Sequence, residues 1–169
     1  LLILLNKKSQ AISQDALTGL NNRRSLERIL RIYEDDQNRA LTLIMLDIDN
    51  FKHINDKYGH TSGDMALIQA ANILRETFNG TSAFLARYGG DEFGVILPEC
   101  SKNTAKETVR KIRGHFYNFA ESKQFPFRLS VSMGYAISTE KSISKISDLP
   151  KEADENMYRD KALNHRERH

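Results

Sequence analysis

Hydrophobic positions along the chain fall into two kinds of run. Leu26, Ile29, Leu30 and Tyr33 keep helical spacing behind Asn21 and Asn22, either of which can cap a helix with its side-chain oxygen. Leu67, Ala71, Leu74 and Phe78 make one face of a helix over residues 61–78, which Gly80 stops. Ala105, Val109, Ile112 and Phe116 do the same over 102–119, and a final helix is expected over 146–163 after a Ser-rich connection. The other runs are short. Residues 41–46 are almost unbroken in their hydrophobicity, as a strand buried on both faces would be. Residues 82–86 and 94–97 are strand-like, with Pro98 ending the second, and 127–136 alternates well enough for another strand. Polar residues 35–39 separate the first helix from the first strand, and Asp15 to Leu20 reads as an ordered turn closing a helical leader over 1–14. Helices alternating with strands, one pair of them joined tightly, predict an α/β (α+β) sandwich around a mixed sheet.

Composition narrows this only a little. A chain of 169 residues makes one domain large enough for a full core. Its 25 basic and 22 acidic residues give a net charge of +3, and the basic ones are scattered, which argues against a nucleic-acid surface. Cys100 is the one cysteine, so no internal disulfide forms and a reducing compartment fits; a quiet structural thiol is expected there. Leu1 to Leu5 are apolar but too few to span a bilayer, and Lys7-Lys8 follows without a cleavage pattern. The chain starts without methionine, so a piece of a longer protein is expected, its first residues ending a transmembrane helix or a coiled-coil stalk. The piece itself is expected to be cytoplasmic, with membrane attachment of the longer protein open.

Candidate chemistry is concentrated at two places. The stretch Arg87-Tyr88-Gly89-Gly90-Asp91-Glu92-Phe93 lies between two strand-like runs and reads as a β-hairpin turned by glycines, since only glycine takes positive φ without steric cost. Two carboxylates beside bare backbone suit the close approach of a metal-bound phosphate, although a solvated turn has the same pattern. The second place is Asp47-Ile48-Asp49-Asn50, where the buried strand ends. α/β proteins place sites there, on a rigid support beside a loop, and Asp47 and Asp49 share a face. An EF-hand loop is excluded: Phe51, Lys52 and Tyr58 stand where an oxygen ligand, the glycine and the bidentate Glu belong. Neither a P-loop nor a His/Cys zinc spacing occurs.

These residues resemble a known family, the GGDEF diguanylate cyclases. Gly89-Gly90-Asp91-Glu92-Phe93 is the family's signature, and Asp47 through Asp56 with Gly59-His60 and Gly63-Asp64 is similar to its other long motif. Asp15-Ala16-Leu17-Thr18-Gly19-Leu20 with Asn22-Arg23-Arg24 resembles its opening motif, and Ala153-Asp154, Met157-Tyr158 and Lys161 its last helix. Four motifs in the right order span residues 15–161. The resemblance implies a catalytic domain over 15–169 behind the leader at 1–14. It implies a five-stranded mixed central sheet flanked by helices, like the palm of nucleotide cyclases and polymerases, with the signature on a β-hairpin. It also implies the reaction: two GTP molecules condense to cyclic di-GMP and two pyrophosphates in a head-to-head homodimer, each 3′-hydroxyl attacking the other's α-phosphate. An upstream sensory domain would control the output.

By the same resemblance, Asp47, the Ile48 carbonyl, Asp91 and Glu92 hold Mg²⁺ or Mn²⁺, two per active site. Asp91 is a further candidate to take the proton of the attacking hydroxyl, and Lys52 neutralises charge on the phosphates. Backbone N–H groups near Phe51 and Lys52 open a helix and suit phosphate oxygens. Asn55 and Asp64 select guanine, since a carboxylate accepts from N1–H and the N2 amine together, which adenine cannot offer. His60 falls in the nucleotide pocket, Gly89 and Gly90 let the hairpin approach ribose and phosphates, and Lys161 reaches the β- and γ-phosphates. Two departures stand out. Gly80 and Ala83 replace the Arg-x-x-Asp of the family's inhibitory product site, and Asn164-His165 replaces a Gly-Arg pair, with Arg166 one place later. The alternative reading is a GTP-binding regulatory module without turnover, and a third is a pure interaction domain. The intact Asp47, Lys52, Asp91 and Glu92 favour the enzyme.

Overall fold

The computed structural model describes residues 13–36, 40–98, 101–140 and 143–166. Most of the leader, Cys100 and the chain end beyond Arg166 lie outside the described residues. Five strands form one sheet in the order β1-β3-β4-β2-β5: β1 (Asn21–Asn22), β2 (Leu41–Ile48), β3 (Phe84–Arg87), β4 (Glu92–Pro98) and β5 (Val131–Ile137). β1 pairs parallel with β3 and the other pairings are antiparallel, so the sheet is mixed. The helices are α1 (Arg23–Asp35), α2 (Phe51–Tyr58), α3 (His60–Thr77), α4 (Lys102–Glu121) and α5 (Leu149–Arg166), the last preceded by a 3₁₀ turn at Ile146–Asp148.

All eight residues of β2 are buried, because strands pair with both its edges and helices cover both its faces. Alternation divides the core in two. Ile44, Leu46 and Ile48 join Leu67, Ala71 and Leu74 of α3 and Ile112 and Phe116 of α4. Leu41, Leu43 and Met45 join Leu26 and Leu30 of α1 and Ala153 and Met157 of α5. Continued by two residues, that second set brings Asp47 and Asp49 to the α5 side of the sheet.

Asn22, not Asn21, caps α1, accepting from the Ser25 amide at 3.0 Å. Gly59 (φ 88°) separates α2 from α3, and the expected strand over 127–136 begins only at Val131. The hairpin expectation holds in its pairing but not in its turn. Neither Gly89 nor Gly90 has a positive φ. The loop closes instead through the Tyr88 and Gly89 amides, both donating to the Glu92 carbonyl, at 2.8 and 3.2 Å. Among the described residues no helix is long and apolar enough to cross a membrane.

Candidate active site

The strand ladder brings the two acidic segments together. In the antiparallel register Asp47 faces Glu92 across β2 and β4, and the Ile48 amide donates to the Asp91 carbonyl at 3.1 Å. Among the described residues, no return bond from the Asp91 amide to the Ile48 carbonyl is formed. Asp47 is 7% exposed. Lys161 of α5 reaches across to it, Nζ to Oδ1 at 3.1 Å. Gly134 makes that reach possible: a Cβ there would stand 2.1 Å from the Met157 amide nitrogen and 2.4 Å from the Ala153 carbonyl oxygen. Helix α5 therefore lies directly on the β5 backbone.

Negative charge is in excess here. Burial, then Asp91 and Asp49, push the Asp47 carboxyl above its usual range, against the pull of Lys161. Burial, then Asp154, Asp47 and Asp91, do the same to Glu92, again opposed by Lys161. Burial disfavours the charge on Lys161, but Asp47, Asp91 and Asp49 outweigh it and hold its pKa high. Among the described residues, one lysine, Lys161, faces the carboxylates of Asp47, Asp49, Asp91 and Glu92. Among the described residues no three His, Cys, Asp or Glu side chains already stand as a metal cluster.

The other candidates are placed around this centre. Asn50 enters α2 in the left-handed conformation (φ 55°) and gives no side-chain cap, so the amides of the first turn at Phe51 and Lys52 are not met by it. The Phe51 ring packs on the core. Lys52 is not drawn into the cluster; its side chain is 91% exposed and pairs with Asp56 at 2.8 Å. Asn55 packs against Gly63, and Asp64 and His60 are exposed on the first turns of α3.

Three residues that the sequence named without a role have one in the geometry. Asp49, 3% exposed, accepts from Ser130 Oγ at 2.7 Å and Ser132 Oγ at 2.5 Å, fastening the end of β2 to the approach of β5. Asp154 acts electrostatically on Glu92, and with it, Leu30, Tyr88 and Pro150 lines a cavity of about 610 Å³ between α1 and α5. Its spacing of seven from Lys161, two turns along one helix face, was the signal available. Arg87 donates to both Asp15 carboxylate oxygens (3.1 and 3.3 Å) and, from Nη2, to the Gly90 carbonyl at 2.8 Å. It ties the opening turn to the signature loop.

Residues 12–167 match the family described as diguanylate cyclase, GGDEF domain. The chain belongs to this family. It is 34% identical over 152 residues to the diguanylate cyclase DgcN of Escherichia coli, a match covering 87% of the chain and 36% of that protein. Among solved structures it resembles the coiled coil and GGDEF domain of DgcB from Caulobacter crescentus, in complex with c-di-GMP (TM-score 0.78, 27% identity, 92% of this chain and 83% of that one). It also resembles the diguanylate cyclase SiaD of Pseudomonas aeruginosa, in complex with its activator SiaC (TM-score 0.81, 28% identity, 95% and 62%). The curated relatives are longer proteins, of which the matched segment is 10% to 36% in the first three.

Proposed function

We propose that residues 15–169 form the catalytic domain of a diguanylate cyclase, condensing two GTP molecules to cyclic di-GMP and two pyrophosphates. The observation that carries this is the meeting of Asp47 and Glu92 in one register, with Asp91 beside them and Lys161 reaching among the acids. Partly buried carboxylates whose charges disfavour one another suit a hard cation. Asp47, Asp91, Glu92 and the Ile48 carbonyl would hold Mg²⁺ or Mn²⁺, two per site, with phosphate oxygens completing the donor set. Such cations, when bound, neutralise charge developing on the phosphates and acidify an attached hydroxyl.

The chain's own groups do the rest. Lys161 leaves Asp47 for the β- and γ-phosphates, and Lys52 exchanges its solvent-exposed Asp56 for a phosphate oxygen. The amides opening α2 bind phosphate as helix N-termini do. Asn55 and Asp64 hold the guanine edge, with His60 beside them. Gly89 and Gly90 leave room for the ribose. Two copies meet head to head, so that the 3′-oxygen of one GTP bonds to the α-phosphorus of the other. The bond to pyrophosphate breaks, and the hydroxyl proton passes to Asp91. Residues 1–14 would connect the domain to an upstream sensory region.

The test is incubation with GTP and Mg²⁺ over a wide range of protein concentration, with products separated by chromatography. Cyclic di-GMP and pyrophosphate should form, rising more steeply than in proportion to protein, because two copies share each reaction. Asp91→Ala should abolish both. GTP binding without product at any concentration would replace this reading with a regulatory module.

A further inference from the structure

Gly63 lies in the first turn of α3 and, unlike Gly59, has no positive φ, so its backbone does not call for glycine. Its side-chain space is taken. A Cβ built there would fall 1.9 Å from Asn55 Oδ1, 2.9 Å from Asn55 Cγ and 3.4 Å from Asn55 Nδ2. The link between α2 and α3 enforces this closeness. The Gly59 amide donates to the Asn55 carbonyl at 2.9 Å, and the Gly63 amide to the Gly59 carbonyl at 3.2 Å, so the two helix ends fold onto each other.

We propose that Gly63 is a positioning residue for nucleobase recognition: lacking a side chain, it admits the Asn55 carboxamide against α3, next to Asp64, in the pose that meets the base. The proposal rests on the reading of Asn55 and Asp64 as guanine contacts. The three nearest obstacles to a methyl group at position 63 belong to the end of one flexible side chain, none to backbone. Alanine is therefore accommodated by turning Asn55 away, not by moving a helix, and alanine is the better helix former. Fold and recognition respond to the same methyl group in opposite senses.

The experiment uses 3′-deoxy-GTP, which binds as GTP does but has no attacking hydroxyl. Its affinity in Mg²⁺ is measured by calorimetry for the unaltered domain, Asn55→Ala, Gly63→Ala and the double variant, and thermal midpoints are measured alongside. Each single substitution should weaken binding by roughly tenfold, the scale of losing a hydrogen bond to a polar ligand edge. The double variant should lose no more than either single one, and Gly63→Ala should melt at or above the unaltered domain. Additive losses would mean that the methyl obstructs the ligand itself, and the proposal falls. It falls equally if Gly63→Ala binds normally while Asn55→Ala does not, or if Gly63→Ala melts lower. Unchanged binding by Asn55→Ala is a different failure, since it removes Asn55 from the base contacts and Gly63 with it.

Discussion

Glu92 shows, at the level of one residue, what gathering acids at one place costs. Its pKa lies above the ordinary carboxylate value because burial, Asp154, Asp47 and Asp91 disfavour its anion. The folded domain therefore holds this proton more tightly than the unfolded chain does. Stability from this group falls as pH rises from 4.5 through the raised folded value and is level above it. Asp47 behaves the same way from 3.8 upward. Asp15, lowered in spite of burial by its Thr18 and Arg87 partners, has the opposite sign, but its contribution is lost only in more acidic solution. Glu92→Gln should therefore stabilise the cation-free domain near neutral pH, by less than about 1 kcal/mol because the group is partly exposed and screened. The same change should abolish turnover. Urea denaturation in chelator at about pH 5 and about pH 7.5 checks this, the gain being larger at the higher pH. A variant less stable at neutral pH would show that Glu92 makes favourable contacts outweighing the repulsion.

Among the elements, α5 has the tightest constraint. Gly134→Ala would drive a methyl group into the backbone of Met157, Ala153 and Asn156, none of which can rotate aside as Asn55 can at Gly63. Overpacking of this kind should cost about 3 kcal/mol and lift Lys161 from Asp47, so the urea midpoint and GTP affinity should fall together. An unchanged midpoint would mean that α5 is not set by this contact. This dependence was hidden in the sequence, where Gly134 is one small residue in an alternating strand. The strands at 41–46 and 94–97 were legible as short apolar runs, and the helix faces of Leu26, Leu67 and Ile112 as local periods. β1 was not, since Asn21-Asn22 has no strand propensity and exists as a strand through its pairing with Ala86 and Arg87. Within the site, the two acidic segments were visible, and so was the face shared by Asp47 and Asp49. The Lys161 partner of Asp47, 114 residues away, and the serines of Asp49, 81 and 83 residues away, were not, because only the folded sheet brings them near. The resemblance pointed to Lys161; nothing local did.

For the whole molecule, the direction of β3 separates the proposed catalytic centre from the place of one form of control. The strand runs from Phe84 to Arg87 and delivers the signature loop at its far end, whereas Gly80 and Ala83 lie before its start. Four residues of strand span about 13 Å, so a ligand held at Gly80 and Ala83 would not overlap a nucleotide at Asp47 and Asp91. Inhibition through such a site would therefore leave GTP binding intact and lower the maximal rate. Holding a cyclic dinucleotide there needs a guanidinium for its phosphate or guanine edge and a carboxylate for the guanine donors. Gly80, in a left-handed turn (φ 75°), and Ala83 offer neither. Added cyclic di-GMP should consequently compete with GTP at the catalytic site and do nothing else. Initial rates across a GTP series at several product concentrations decide the matter: a common maximal rate is expected. A maximal rate that falls at submicromolar product would mean that other residues have built the inhibitory site anew.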